Sequence, residues 1–191
     1  MTNQTLTDAD FQRAATLLGC EIATIKAAAN VESRGIGFLV TGEPKVLFEA
    51  HIFDGLTGGK YRRSHPNISS ARWNKELYGP AGLHQHKRLQ QAILLDRNAA
   101  LQSASWGKFQ VMGFNWALVG RKSLQDFVNA QYRNEGEHLK DFVGYVIARG
   151  LKDELQQRDW AGFALGYNGE GYKENQYDTK MAAAYKQFSR G

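Results

Sequence analysis

Glu32 is the residue of this sequence that is best placed for acid–base chemistry. It ends an alanine-rich stretch that favours a helix, and Arg34 and Gly35 just after it are typical of a helix terminus. The negative end of the helix dipole and nearby apolar side chains both disfavour a charged carboxylate, so we expect the pKa of Glu32 to be raised. A carboxylic acid that stays protonated near neutral pH is what glycoside cleavage requires of a general acid.

The side chains that could be reactive also have interpretations without any chemical role. On this segment alone, the commoner alternative for Glu32 is a solvated glutamate at a frayed helix end, because most glutamates lie at the surface. Cys20 has no partner motif and is expected to be a small structural residue, not the nucleophile of an amidase or peptidase. His84 and His86 lack a third ligand at a metal-binding spacing, so neither a metal nor another cofactor is expected.

The composition indicates one globular domain over residues 1–191. The chain is 42% hydrophobic, which is enough for a buried core, and its single cysteine excludes an internal disulfide. No secretory leader and no apolar run of membrane-spanning length are visible. The net charge of +5 favours an anionic partner, but no nucleic-acid-binding motif accompanies it, so nucleic acid is not expected as that partner.

The elements that must position these residues are mostly helices. Thr7 and Asp10 predict a capping box at the start of the first helix, and Ser123 and Asp159 predict the starts of two later helices. Apolar residues at spacings of three and four predict further helices over 83–101 and 176–188. The predicted fold class is mainly α (α+β), a helical body with one small antiparallel β-sheet lobe after the second helix.

The sheet is predicted from a glycine-punctuated part of the chain. Residues 38–40 and 45–49 are typical of two short strands, and the intervening residues 41–44 are typical of a turn. This arrangement predicts a hairpin in which Glu49 ends the second strand.

Two later segments are expected to be irregular. The polar stretch 57–82 is predicted to form a long loop that Trp73 and Tyr78 anchor to the body. The segment 103–113 is small, aromatic and glycine-containing, and Gly107 indicates backbone that is bent tightly or approached closely. A long loop near a site is often a binding element, and the alternative is a surface excursion.

Five short segments form an ordered set that spans most of the chain. They are Val-Glu-Ser-Arg-Gly at 31–35, Leu-Phe-Glu-Ala-His at 47–51, Ala-Leu-Gln-Ser-Ala-Ser-Trp-Gly at 100–107, Phe-Val-Asn-Ala-Gln-Tyr at 127–132 and Tyr-Asn-Gly at 167–169. In this order they resemble the phage endolysin N-acetylmuramidase family of the lysozyme-like superfamily. Each motif alone is weak, whereas the ordered set is strong. The layout is also similar to soluble lytic transglycosylases and goose-type lysozymes.

This resemblance implies a peptidoglycan-degrading enzyme with a lysozyme-like fold. Glu32 would be the general acid that protonates the glycosidic oxygen, and the bond would be cut on the reducing side of N-acetylmuramic acid. The resemblance also implies a groove between the helical body and the sheet lobe. The residues expected to bind substrate in it are Gln110, Phe109, Tyr167 and Asn168.

Some of these implied roles have structural alternatives. Tyr167 would hydrogen-bond to Glu32 or pack near it, and Asn168 would hold sugar or backbone; the alternatives are a core tyrosine and a turn asparagine. Trp106 and Tyr172 are candidates for stacking on sugar faces, but large aromatic residues are as often packed inside.

The sequence specifies the second catalytic group less clearly than the first. Inverting hydrolysis needs a base that holds water, with the carboxyl groups about 6.5–9.5 Å apart, and retention needs about 5–5.5 Å. Glu49 is the candidate, because it ends a strand in the lobe opposite Glu32, and Glu43 and Asp54 are weaker alternatives. Without a second carboxylate facing the groove, lytic transglycosylase chemistry is favoured, in which the sugar's own groups complete the reaction.

The sequence departs from the transglycosylase pattern at two places. The pattern Gly-Leu-Met-Gln is replaced by Gly-Lys-Phe-Gln at 107–110, and Ala-Tyr-Asn by Gly-Tyr-Asn at 166–168. Both departures favour the muramidase family without excluding the other chemistry.

The expected setting is lysis of a bacterial host. The protein would be made in the host cytoplasm without a signal peptide, and a separate pore-forming protein would let it reach the periplasm. Its partners would be peptidoglycan glycan strands and an anionic outer-membrane surface, and we expect a monomer without a separate cell-wall-binding domain. The rival from another class is a non-catalytic wall-binding module, whose groove would bind without cutting.

Overall fold

The computed structural model describes residues 5–33 and 35–190 and contains mostly helix. Its helices are α1 Asp8–Leu18, α2 Ile22–Glu32, α3 Ala50–Leu56, α4 Leu83–Leu95, α5 Arg97–Gln102, α6 Leu124–Gln131, α7 Glu135–Ala148, α8 Lys152–Gln157, α9 Trp160–Asn168 and α10 Tyr177–Phe188. Its strands are β1 Val46–Phe48, β2 Ala104–Trp106 and β3 Val111–Met112. The predicted mainly α class with one small antiparallel sheet is confirmed.

The helix starts follow from local capping. Thr7 and Asp10 form the predicted capping box, in which the Thr7 N–H donates to Asp10 Oδ2 at 2.8 Å. Ser123 and Asp159 accept backbone N–H groups at the starts of α6 and α9, as predicted. The last residue of α2 is Glu32, so the predicted end of that helix is also confirmed, although Arg34 lies outside the described residues.

The predicted hairpin between residues 38–40 and 45–49 is present only in part: the Leu39 N–H donates to the Glu43 carbonyl and the Lys45 N–H to the Gly37 carbonyl, both at 2.8 Å, but residues 38–40 do not form a strand. Strand β1 instead pairs antiparallel with β2, which in turn pairs with β3, while Phe38 contributes only an isolated bridge to Pro44. The reason is burial: Val40 is fully exposed, so a strand there would cover nothing, whereas every residue of β2 is buried. Pairing with β2 therefore completes the lobe.

Two boundaries within the lobe also differ from the predictions. Strand β1 ends at Phe48, and Glu49, the predicted last residue of that strand, instead precedes α3, a helix that the sequence patterns did not indicate. The helical stretch predicted over 83–101 is two helices. Asp96 ends α4 in an extended conformation, and its side chain accepts the Ala99 N–H at the start of α5. No helix in the described part of the chain is long and apolar enough to span a membrane.

The core lies between α7 and the surrounding helices and continues beneath the sheet. Its largest fully buried aromatic side chains are Phe48, Phe53, Trp106, Phe127, Phe142 and Phe163. Helix α2 packs against α1 on one side and α10 on the other. The end of α2 is thereby held at the edge of the core, beside the sheet.

The hairpin between β2 and β3 depends on the lack of a side chain at Gly107. Its φ is +70°, and an added Cβ would lie 2.3 Å from Gln131 Oε1. We expect Gly107→Ala to lower the free energy of unfolding by about 2–4 kcal/mol, because a left-handed conformation and a steric clash add together. Thermal and urea unfolding would measure this.

Gly58→Ala is the matched control, because Gly58 also has a positive φ, +61°, but has open space around it. It should cost only the left-handed conformation, about 1–2 kcal/mol. Equal losses in the two variants would contradict the steric part of the prediction.

Candidate active site

A groove of about 420 Å³ lies where the end of α2 meets the sheet and α9. Five residues that the sequence predicts for the site line it: Glu32, Phe109, Gln110, Tyr167 and Asn168. They come from three separate parts of the chain, namely α2, the hairpin loop 107–110 and α9. The fold therefore brings together the predicted acid and four of the five predicted substrate-binding residues.

Glu32 lies in the groove as a partly buried carboxyl group. Burial raises its pKa to about 7, and a hydrogen bond from Asn168 opposes that rise. The Asn168 Nδ2 group donates to Glu32 Oε1 at 2.8 Å. The predicted rise is present, and removal of water from the carboxyl group is its main cause. At neutral pH a large fraction of Glu32 therefore carries a proton that it can donate.

Tyr167 forms the aromatic floor beside Glu32. Its ring packs against Phe142, Tyr145 and Phe163, with centroid distances of 5.3 Å, 5.4 Å and 5.6 Å. Its hydroxyl donates to the Phe109 carbonyl at 3.3 Å, which links α9 to the hairpin loop. Burial raises the pKa of Tyr167 well above its usual range, so this hydroxyl stays protonated. Tyr167 therefore packs near Glu32, which is one of the two arrangements predicted for it.

Gln110 is held rigidly at the end of the hairpin loop. Its φ of 51° is unusual for a residue other than glycine, and such a conformation costs about 1–3 kcal/mol unless its surroundings impose it. Two hydrogen bonds of the Gln110 side chain help to impose this conformation. Ser105 Oγ donates to Gln110 Oε1 at 2.8 Å, and Gln110 Nε2 donates to the Gly107 carbonyl at 2.8 Å. Its amide is therefore presented to the groove in one orientation.

Trp106 and Tyr172 do not lie in the groove. Trp106 is 1% exposed in the core, and its Nε1 donates to the Leu101 carbonyl at 3.1 Å. Tyr172 is also buried. The interpretation of Trp106 as a sugar-stacking residue is therefore replaced by a structural one, because its side chain leaves β2 on the face opposite to that of Ser105, which lines the groove.

Glu49 is near the groove but is not part of its lining. It continues β1 in an extended conformation, and its N–H donates to the Ser103 carbonyl at 2.9 Å. Since side chains alternate along an extended chain, it leaves the backbone on the same face as Leu47, which lines the groove. Its Oε2 accepts the Tyr78 hydroxyl at 2.5 Å, and burial raises the pKa of Tyr78 to about 12.

The weaker alternatives for a second carboxylate lie elsewhere. Asp54 is buried and receives hydrogen bonds from Arg62 and Ser69, which hold its pKa below the usual range. Glu43 is in the turn before β1, and its pKa is lowered by a hydrogen bond from Thr41. Among the described residues that line the groove, Glu32 is the only carboxylate.

The cysteine and histidine side chains are apart from this groove. Burial raises the pKa of Cys20 to about 11, so its thiol is a poor nucleophile at neutral pH. His86 lies in the first turn of α4, where its Nε2 contacts the Pro44 carbonyl at 2.8 Å. No group of three potential metal ligands occurs within residues 5–33 and 35–190.

Comparison with known proteins identifies the family. A family model described as muramidase, N-acetylmuramidase, matches residues 21–189. The chain belongs to the N-acetylmuramidase family. The crystal structure of the Burkholderia AP3 phage endolysin superposes on this muramidase with a TM-score of 0.93 and 36% sequence identity, over 100% of this chain and 74% of that one. A search of curated proteins found no match. The predicted lysozyme-like fold and family resemblance are confirmed.

Several lining residues of the muramidase groove were missed by the sequence analysis: Leu47, Ser105, Tyr145 and Tyr177. Ser105 lies within the motif at 100–107, but the sequence did not indicate that it holds Gln110. Tyr177 stood on the apolar stripe of the helix predicted over 176–188, which indicated only packing, and no pattern singled out Tyr145. Their contribution depends on how α7 and α10 meet α9.

The groove continues into two neighbouring depressions. One, of about 490 Å³, is largely apolar and shares Leu47 and Gln110 with the groove. The other lies between α2 and α10 and shares Tyr177. An extended polymer can therefore lie across the muramidase with Glu32 at an internal position.

The hydrogen bond from Asn168 gives a test of Glu32 by pH. Asn168→Leu replaces the amide with an apolar side chain of similar size and so removes the donor that lowers the pKa of Glu32. Because the acid must be protonated, the upper limb of the rate–pH profile should move to higher pH by about one unit. Initial rates on purified peptidoglycan between pH 5 and 9 would measure this. An unchanged limb would show that Glu32 does not set it.

Proposed function

We propose that this muramidase cleaves the β-1,4 bond between N-acetylmuramic acid and N-acetylglucosamine in peptidoglycan, with Glu32 as the general acid. Membership of the N-acetylmuramidase family supports the substrate class and a glycosidase-type reaction. The observation that carries the assignment of Glu32 is its place in the groove with a pKa of about 7. The structural similarity to a phage endolysin supports a role in lysis of a bacterial host.

The first step is proton transfer to the departing oxygen. Glu32 donates its proton to the glycosidic oxygen as the bond from that oxygen to C1 of N-acetylmuramic acid breaks. The positive charge that develops on C1 and the ring oxygen forms next to a carboxylate that has just become negative. Asn168 stabilises that carboxylate through the hydrogen bond to Oε1.

The second step of hydrolysis adds water to C1. We propose Glu49 as the base that takes the proton of this water, because it leaves β1 on the face of Leu47, which lines the groove. The Tyr78 hydroxyl and the nearby His51 ring, 3.4 Å from the carboxylate, fix its orientation. The product is a reducing N-acetylmuramic acid end.

Lytic transglycosylase chemistry is the second candidate, and one observation favours it. Glu32 is the only carboxylate among the described lining residues, so the groove does not itself present a second one. In this reaction the C6 hydroxyl of the muramic acid attacks C1 and loses its proton to Glu32. The product is then a 1,6-anhydro end, and no water is consumed.

The partners follow from the substrate. Peptidoglycan glycan strands would lie along the groove and its two neighbouring depressions, and the net charge of +5 would favour approach to an anionic outer-membrane surface. We propose that a single copy acts on the strand, because every residue assigned to the reaction comes from one chain.

Mass spectrometry of muropeptides released from purified peptidoglycan tests the function directly. Reducible N-acetylmuramic acid ends would support hydrolysis, and anhydro ends would support transglycosylation. Release by Glu32→Gln at a rate within tenfold of the unchanged protein would contradict the assigned acid. No release by the unchanged protein, with binding to peptidoglycan retained, would instead identify a wall-binding module.

The site of action is a separate proposal. Peptidoglycan lies outside the cytoplasmic membrane, so a protein made in the host cytoplasm must cross that membrane to act in the periplasm. We propose that a pore-forming protein provides the route. Prompt lysis of a host that expresses this chain alone would contradict the need for such a helper.

A further inference from the structure

Glu135 is a buried carboxylate outside the groove that the proposed reaction does not use. It is 2% exposed and begins α7. Its Oε1 accepts the Gly37 N–H at 2.5 Å, its Oε2 accepts the Leu6 N–H at 3.2 Å, and Lys108 Nζ lies 3.3 Å from Oε2. A buried carboxylate is stable only where partners of this kind replace water. These partners come from three different segments, and Glu135 attaches all of them to α7.

Lys108 connects two of these segments to each other. Its Nζ donates to the Gly35 carbonyl at 2.6 Å, and its backbone N–H donates to His138 Nδ1 at 3.0 Å. The His138 ring also donates from Nε2 to the Gln131 carbonyl at 2.7 Å and stacks on Phe38 with a centroid distance of 5.0 Å. Segment 35–38 and the hairpin loop 107–110 are therefore both fixed to one turn of α7.

The two segments are in direct contact at Gly37. A Cβ added there would lie 2.8 Å from His138 Nδ1 and 3.0 Å from the Lys108 backbone nitrogen. Any movement of segment 35–38 would therefore change its fit against the hairpin loop. Glu32 lies just before that segment, and Phe109 and Gln110 lie in that loop.

We propose that Glu135 is a positioning residue for the active site, holding segment 35–38 and the hairpin loop together so that Glu32 faces Gln110 and Phe109. This inference rests on the proposed function, because it takes Glu32 to be the acid. Glu135 does not touch the substrate groove, and its effect passes through the Gly37 N–H and Lys108.

The test compares Glu135→Gln with the unchanged protein. The amide keeps one oxygen for Gly37 but removes the negative charge opposite Lys108. We expect the maximal rate to fall about 30- to 100-fold with less than about a threefold change in half-saturating peptidoglycan concentration, because misplacement by about 1 Å costs roughly 100-fold in rate. The loosened segments would also let water reach Glu32. This would lower the pKa of Glu32 and move the upper limb of the pH profile down by about half a unit or more.

Two further variants keep the test decisive. Lys108→Met retains the packing of the side chain and should show the same rate loss and pH shift, and combining it with Glu135→Gln should add little, since both break one connection. Asp54→Asn is the matched control, because Asp54 is a buried carboxylate bound to Arg62 and Ser69 away from the groove. It should lower the melting temperature and leave the maximal rate and pH profile unchanged.

The outcomes separate this inference from the proposed function. A Glu135→Gln variant that loses stability as Asp54→Asn does, yet keeps the rate and pH profile of the unchanged protein, would overturn the positioning role. An active Glu32→Gln variant measured in parallel would overturn the proposed function instead, whatever Glu135→Gln shows.

Discussion

Glu32→Gln is expected to slow the cleavage of peptidoglycan at least 100-fold while the fold remains intact. The amide has nearly the same shape and can still accept the hydrogen bond from Asn168, but it cannot donate a proton to a leaving oxygen. A positioned general acid contributes about 10²–10⁴-fold to the rate, so the loss should fall in that range. Muropeptide release measures the activity, and circular dichroism with thermal unfolding checks the fold. A residual rate within tenfold of the unchanged protein would exclude Glu32 as the acid.

The same substitution should change how stability depends on pH. The pKa of Glu32 rises from an ordinary value near 4.5 to about 7 in the folded protein, so the folded state holds its proton more tightly than the unfolded state. The free energy of unfolding then falls as pH rises from about 4.5 to about 7, by up to about 3 kcal/mol. Glu32→Gln should lack this fall, and urea unfolding at pH 4 and pH 8 would measure the difference.

Glu49→Gln is the second substitution with a large expected effect. If Glu49 activates the water, hydrolysis should fall about 10²–10³-fold, because a neutral amide cannot take the proton of the attacking water. Binding to peptidoglycan should persist, since Glu49 lies beside the groove and not in its lining. Muropeptide release, separated by product type, is the measurement. Undiminished formation of anhydro ends would remove Glu49 from the mechanism and favour transglycosylation.

Tyr78→Phe is the control for that experiment. It removes the hydroxyl that donates to Glu49 Oε2 but leaves the carboxylate in place. We expect less than about a tenfold loss, because orientation changes while the base remains. A loss as large as that of Glu49→Gln would contradict a merely orienting role and indicate that the hydroxyl is as essential as the carboxylate.

The sequence was informative about the site where local chemistry determines the outcome. The end of α2 at Glu32 followed from an alanine-rich helix with a glycine after it, and the helix starts followed from capping side chains. The residues of the hairpin loop and of α9 were found because they belong to ordered motifs, not because their spacing indicates a groove. Motif order carried information that periodicity did not.

The predictions that failed have one common cause: each depended on contacts between residues that are far apart in the sequence. Strand β1 was predicted to pair with its neighbour in the chain but pairs with β2, because burial of both strands outweighs proximity. Trp106 was a candidate for the groove, but its side chain points into the core, on the face of β2 opposite to Ser105. The role of Glu135 was also invisible, because its partners, Gly37 and Lys108, are separate in sequence and carry no shared motif.

The hydrogen bond between Asn168 and Glu32 joins residues 136 positions apart in the chain. Because of this long separation, Glu32 acquires its burial and its hydrogen bond only after α9 has left the ribosome and docked. A nascent chain that ends before α9 can already contain the paired helices α1 and α2, yet its Glu32 carboxyl would still be solvated and ionised at neutral pH. The proposed active site is therefore completed late in cotranslational folding, only when synthesis has passed α9.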